Sequence, residues 1–442
     1  MTWQVADVAL HAARRARVLQ ALGTDAVMVL TAAPEPRIGR DVELRYQPDP
    51  DLYYLTGYPE PDAVAVLAPA RTEAPFTLFV RPRDPEAELW TGPRGGPDAA
   101  KDLFGADEAY PIGELADRLP PILAAADTIY FRLGTGRDDV EALVRKSIIQ
   151  ARRGRQREGR GPRTLVDPGA ILDDMRLIKD EHEIALLREA ARISAEAFRE
   201  AARLIRPGAG EWEIEAALEA GFRSRGAMGP AFPTIVGAGA NATVLHYTDN
   251  AAPLQAGQLV LLDAGARYRM YCGDISRTFP VSGTFTAAQR DVYDAVLAAR
   301  DAAIALVRPG NTIEQVHDAA LRTALAALID LGVLRGTVDE LVEKKEEYHP
   351  FLPHRTSHWL GLDVHDVGDY RTAGEPRRLE PGMVLTVEPG IYLPGTHDAV
   401  PTALRGSGIR IEDDVLVTPS GHEVLTAALP TAALEVETLL RG

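Results

Sequence analysis

One pattern constrains this 442-residue chain more than any other, and it occurs twice in the C-terminal part. Arg206-Pro207-Gly208 and Arg308-Pro309-Gly310 each end one amphipathic run and precede another, EWEIEAAL and TIEQVHDAAL. The leading run of the first copy starts at Asp180 with Glu183 three residues on. The second starts at Thr286 with Gln289 three on. Both pairs fit a capping box, in which the first side chain and the fourth satisfy each other's backbone N–H groups. Further along, Gly257-Gln-Leu-Val-Leu-Leu-Asp263-Ala-Gly265 matches Gly382-Met-Val-Leu-Thr-Val-Glu388-Pro-Gly390. Each places a glycine before a β-type apolar run, an acid six residues later, and a glycine two after that. The pattern reads as a duplication: helix, RPG turn, helix, then a strand that delivers a carboxylate. The unequal spacing of the copies excludes a solenoid.

A chain this long also exceeds one average domain. Residues 1–150 alternate between helical and strand patterns, which predicts an α/β layer. A helix is expected over Ala6–Leu22 and another from Asp138 to Gln150. Strands are expected at Ala26–Leu30, Leu52–Leu55, Ala63–Leu67, Phe76–Val80 and Thr128–Leu133. The arginine-rich RRGRQREGRGPR (152–163) is read as a solvated segment leading to a linker. The expected division is an N-terminal domain over 1–170 and a second over 171–442, for an overall α+β class.

The net charge of −16 disfavours a polyanionic partner, so no nucleic acid is expected. Apolar runs such as Gln258–Leu262 are too short to span a bilayer, so no membrane association is expected. The N-terminal residues lack the basic, apolar and small-residue sequence of a signal peptide. The single cysteine, Cys272, forbids an intrachain disulfide. Together these features point to a cytoplasmic location.

Asp263 and Asp274 lie on two strand-like runs. A hairpin turning at Tyr268-Arg269 would set them opposite each other on one face. Two facing carboxylates repel unless a cation or a proton intervenes. The second copy offers Glu388 after VLTV and Glu412 in GIRIEDDVLV. A single buried acid is usually paired with an arginine, and Arg277 and Arg410 are nearby candidates. Four acids arranged by a duplication fit a metal site better. Oxygen-rich ligation with limited nitrogen and no sulfur suits Mn²⁺, with Co²⁺, Fe²⁺ or Zn²⁺ as alternatives.

Only ten histidines occur in the chain, and His349, His354, His358 and His365 share one short window. It is not a helical zinc motif: no HExxH glutamate follows His354, and Pro353 and Gly361 oppose a helix. His358 and His365 therefore need not serve one ion. Isolated histidines such as His11, His317 and His422 are read as satisfied structural residues. Gly134-Thr-Gly136 and Gly237-Ala-Gly239 lack the third glycine of a dinucleotide fingerprint and are read as turns.

Five segments, TIVGAGANATVLHYTDN, VLLDAGARYRMYCGDISRTFPVSGTFTAAQRDVYDAVL, SHWLGLDVHDVG, LEPGMVLTVEPGIY and RGSGIRIEDDVLVT, resemble the pita-bread metallopeptidases. Among these they most resemble the Xaa-Pro aminopeptidases (aminopeptidase P). DLYYLTGYPEPDAVAVL and DPEAELWTGPRGGPDAA resemble the family's non-catalytic N-terminal domain more loosely. The resemblance implies a duplicated pita-bread catalytic domain behind a creatinase-like α/β domain. It implies two divalent metal ions: Asp263 binds one, Asp274 and Glu412 bridge both, and His358 and Glu388 complete the second. It further implies substrate and proton-handling roles for His246, His354 and His365, with Glu388 taking the proton of water. Arg410, Asp51 and Trp90 match residues near the substrate. The Trp90 match implies a homodimer or homotetramer.

The implied reaction releases the first residue from peptides with proline second. Proline dipeptidase, which cleaves only Xaa-Pro dipeptides, shares the fold and ligands and is the alternative. A metal-free creatinase-like hydrolase or binding protein on this fold typically lacks several ligands, and this chain lacks none. Asp363 and Asp366 are expected to hold the loop and to have no part in catalysis.

Overall fold

In the computed structural model, which describes residues 8–441, the chain divides into two compact units, one through Asp173 and one from Asp174. The first is built on a mixed six-stranded sheet. Its order is Glu108–Pro111, Phe76–Val80, Val64–Leu67, Ala26–Thr31, Thr128–Tyr130, Thr164–Val166. The central strands are buried on both faces, so they read as unbroken apolar runs. A cluster including Val27, Val66, Phe79, Leu119 and Val144 packs between the sheet and its helices.

Two sequence expectations fail in this unit. Leu52–Leu55 is not a strand but part of the helix Pro50–Thr56. Its ends explain why: the Asp49 side chain accepts the N–H of Leu52, Pro50 opens the first turn, and Gly57 closes it at φ 67°. The arginine-rich segment is also not a linker over most of its length. The helix Asp138–Glu158 runs through it to Gly159, and Thr164–Val166 then adds a strand to the sheet edge. The expected helix at Ala6–Leu22 is observed from Val8, and its first two residues lie outside those described.

The second unit carries the duplication. Helices Glu181–Ala202 and Ala287–Ile304 both begin with complete capping boxes, formed by Asp180 with Glu183 and Thr286 with Gln289. Each is followed across its RPG turn by a partner helix, Glu211–Ser224 or Ile313–Asp330. Even a minor feature repeats: isolated bridges pair Gly210 with Pro253 and Thr312 with Arg378. The strand Leu259–Ala264 pairs antiparallel with Ile275–Pro280, and Val384–Val387 pairs antiparallel with Asp413–Thr418. The apolar faces of the helices close over these strands in one core that includes Phe198, Phe222, Phe279, Tyr293 and Leu328. No described helix is long and apolar enough to cross a membrane.

Candidate metal centre

The first two acids come from one hairpin, whose register differs from the expected one. The turn falls at Arg269-Met270, which take φ of 46° and 75°, as a two-residue hairpin turn requires. Asp263 consequently faces Ser276 instead of Asp274. Asp274 stands just before its strand, which is interrupted at Gly273. That interruption lets the chains pass closely: a Cβ on Gly265 would lie 1.6 Å from the Gly273 carbonyl oxygen. Cys272 turns its Sγ toward the Leu362 carbonyl, 3.5 Å away, and does not line the cleft.

The remaining ligand candidates come from the second copy. Glu388 follows the strand Val384–Val387, and Glu412 sits between Ser407–Arg410 and Asp413–Thr418. His358 lies in an irregular stretch, as Pro353 and Gly361 require. Backbone bonds nonetheless dock this stretch alongside Val384–Val387. Thr386 N–H donates to the His358 carbonyl at 2.9 Å, and Glu388 N–H donates to the Thr356 carbonyl at 2.8 Å. The Glu412 N–H donates to the Ser276 carbonyl at 3.1 Å, which joins the two copies at the site.

These elements bring the five residues into one cleft of ≈ 620 Å³. Ligand atoms of Asp274, His358 and Glu412 lie within 4.8 Å of one another. His358 Nε2 is 3.5 Å from Asp274 Oδ2 and 3.6 Å from Glu388 Oε1. Its Nδ1 lies 2.9 Å from the Trp359 carbonyl, so Nδ1 carries the proton and Nε2 presents a lone pair to the cleft. Asp263 Oδ1 and Asp274 Oδ1 are buried without a hydrogen-bond partner among the described residues.

Burial raises the carboxyl pKa of Asp274 and Glu412 well above the ordinary range, and the neighbouring acids add to it. Burial also pushes Glu388 up to about 7, against the pull of His358 and Arg410. Acids so placed are costly as bare anions. Unpartnered carboxylate oxygens, an imidazole lone pair and mutual repulsion together fit divalent cations, with hard oxygen donors in the majority.

Around the candidate ligands runs a hydrogen-bonded chain in which Arg410 and His354 were named from the sequence and Ser276 and Tyr392 were not. Arg410 donates to Asp263 Oδ2 at 2.5 Å, to the Tyr392 hydroxyl at 2.6 Å and to Ser276 Oγ at 2.8 Å. Ser276 in turn donates to Glu412 Oε2 at 2.9 Å. The Tyr392 hydroxyl lies 2.9 Å from His354 Nε2, and His354 Nδ1 lies 2.8 Å from the Arg355 carbonyl. A carbonyl can only accept, so Nδ1–H donates to it and Nε2 accepts from Tyr392. Burial, with the Arg410 charge next in size, pushes His354 down to about 4 and keeps it neutral. A Cβ at Gly390 would lie 2.5 Å from the Tyr392 hydroxyl, so only glycine there lets the tyrosine reach back.

His246, His365 and Arg410 line the same cleft as His354. His365 meets the His358 ring edge-on, with centroids 4.3 Å apart. Asp363 and Asp366 hold the loop: Arg176 reaches both, at 2.8 and 2.6 Å, and Lys179 reaches Asp366 at 2.9 Å. Asp51 and Trp90 lie in the first unit. Asp51 is buried against Arg132, 2.9 Å away, whereas Trp90 is 83% exposed on the helix Pro85–Thr91.

Comparison with known proteins agrees with this geometry. The profile of Metallopeptidase family M24 matches residues 185–419, and that of the Aminopeptidase P N-terminal domain matches 11–130. The Xaa-Pro aminopeptidase of Escherichia coli is 41% identical over 428 residues, covering 97% of this chain and 96% of that protein. Pseudomonas aeruginosa aminopeptidase PepP superposes with a TM-score of 0.94 at 43% identity, over 99% of this chain and 98% of that one. A variant of Escherichia coli aminopeptidase P in complex with substrate gives a TM-score of 0.93 at 40% identity, over 99% and 98%. A metal-type cluster at the junction of two copies of one fold thus coincides with near-full-length similarity, and the chain belongs to metallopeptidase family M24, among its Xaa-Pro aminopeptidases.

Proposed function

We propose that this hydrolase releases the N-terminal residue from peptides with proline in second position, using two divalent metal ions, with Mn²⁺ the metal its oxygen-rich ligand set suits. The observation that carries the reading is the convergence of Asp263, Asp274, His358, Glu388 and Glu412 on one cleft, with two orphaned carboxylate oxygens among them. Asp263, Asp274, His358, Glu388 and Glu412 would hold these ions between them. Bound cations of this kind supply Lewis acidity and lower the pKa of water.

The chain's own residues supply the remaining steps. Glu388 lines the cleft and is the proposed acceptor of the water proton. The nitrogen of an Xaa-Pro bond has no N–H and must gain a proton before it can leave. His246 and His365 line the cleft with rings that make no hydrogen bond to described residues, so they are free to meet substrate. His354 has both nitrogens engaged and acts as a fixed neutral partner. Arg410 has all three guanidinium nitrogens engaged, and its contribution to substrate binding passes through Asp263 and Tyr392.

Residues 1–170 are proposed as the non-catalytic domain and 171–442 as the catalytic one. Asp51 and Trp90 are proposed substrate-side residues of the former, in a cytoplasmic homodimer or homotetramer. The test compares tri- and longer peptides having proline second with Xaa-Pro dipeptides. Release of the first residue from the longer peptides supports the reading. Cleavage confined to dipeptides replaces it with proline dipeptidase.

A further inference from the structure

A second cavity, of ≈ 300 Å³, adjoins the metal cleft, and His354 and Arg355 line both. Among the described residues, no aspartate or glutamate lines it, in a chain with 64 acids against 48 lysines and arginines. It does carry Lys345 and Arg355. Among the described residues, the lysines and arginines lining the candidate metal cleft are Arg355 and Arg410. Arg410 is buried and spends its guanidinium on Asp263, Tyr392 and Ser276. Arg355 is exposed, and its side chain has no hydrogen bond or ion pair with any described residue. Because it lines both cavities, it stands at their junction.

We infer that Arg355 is a specificity-determining residue, an anchor for a carboxylate carried by the substrate downstream of its proline. The assignment rests on the proposed peptidase reading. A peptide fixed by its first residue at the ligand cluster, and leaving the cleft past His354, brings its following residues to Arg355. Each extended residue advances the chain by about 3.3–3.6 Å, and the group assigned to Arg355 is the terminal carboxylate of a short peptide. An acidic side chain soon after the proline presents the same group. The largely apolar remainder of the second cavity, including Leu321, Leu352 and Ile391, accommodates the accompanying side chain. A guanidinium pairs with a carboxylate through two parallel N–H···O bonds.

The test measures kcat/KM for Ala-Pro-Leu with a free C-terminus and for its C-terminal amide. The proteins are the unmutated enzyme, Arg355→Gln and Arg355→Glu, all metal-loaded. The unmutated enzyme should prefer the acid by roughly two- to fivefold, the range of an exposed ion pair, and through KM. Arg355→Gln should bring the ratio to about one, and Arg355→Glu should invert it. In the unmutated enzyme alone, raising the salt should shrink the preference, since exposed charges are screened. The same acid-to-amide ratio in all three proteins, or a ratio of one in the unmutated enzyme, overturns the assignment while leaving the peptidase reading intact. No release of alanine from either peptide overturns both.

Discussion

Arg410 and Asp263 form a buried ion pair, 2.5 Å between Nη2 and Oδ2, that joins the strand Ser407–Arg410 of the second copy to the proposed ligand Asp263 of the first. The pair leaves Asp263 Oδ1 as the oxygen free to face a cation. Arg410→Ala removes this partner and the anchors of Tyr392 and Ser276 together. Loss of a residue that orients a metal ligand typically costs 10–100-fold in metal affinity or activity. A fall of about that size is expected, with metal content per chain reduced, read by activity assay and elemental analysis. Arg410→Lys should rescue little, because one ammonium cannot hold three partners in a plane.

Replacing a ligand should act more severely than replacing its support. Glu412→Gln and His358→Ala should each lose at least about a hundredfold in kcat, beyond the range usual for outer residues. Both should keep the circular dichroism of the parent, since the core of the second unit does not depend on either side chain.

Asp366 supports the loop that carries His365. It is buried between Arg176 and Lys179, and burial opposes its charge, but the two cations win and hold its carboxyl below the ordinary value of 3.8. A depressed pKa contributes stability that is present above the unfolded value and lost as pH falls through the folded one. Asp366→Asn should therefore lower stability at neutral pH by about 3–5 kcal/mol, as expected when one partner of a buried pair is removed. The gap to the parent should narrow as pH drops below 3.8, measured as the denaturation midpoint across pH.

Asp414 lies directly behind the site, where its Oδ2 accepts the N–H of Asp274 at 3.1 Å. Asp414→Asn keeps an acceptor of the same shape and should retain most activity. Asp414→Ala leaves a buried N–H unsatisfied, at about 1–3 kcal/mol, and lets Asp274 shift. It should lose more activity than stability, as seen by comparing kcat with the midpoint of unfolding.

What was legible in the sequence was local. The capping boxes at Asp180 and Thr286 involve residues three apart, and the acids at strand ends recur in both copies at one spacing. The role of Asp366 in the loop was legible as a choice against catalysis. Tyr392, Ser276 and Asp414 were not, because their partners lie on other strands far along the chain and no local pattern marks them. The hairpin register slipped by two because Arg269 and Met270 adopt a left-handed turn that their residue types do not advertise. Leu52–Leu55 was misread because four apolar-rich residues fit a strand as well as a helical turn, and its caps at Asp49 and Gly57 decide.

If five side chains hold two cations that enable cleavage before proline, activity must follow metal content. The direct measurement strips the protein with a chelator, titrates it with Mn²⁺, and follows release of the first residue from Ala-Pro-Leu. The account predicts no turnover without metal and recovery that saturates near two equivalents per chain. Full activity in the metal-free protein would contradict it.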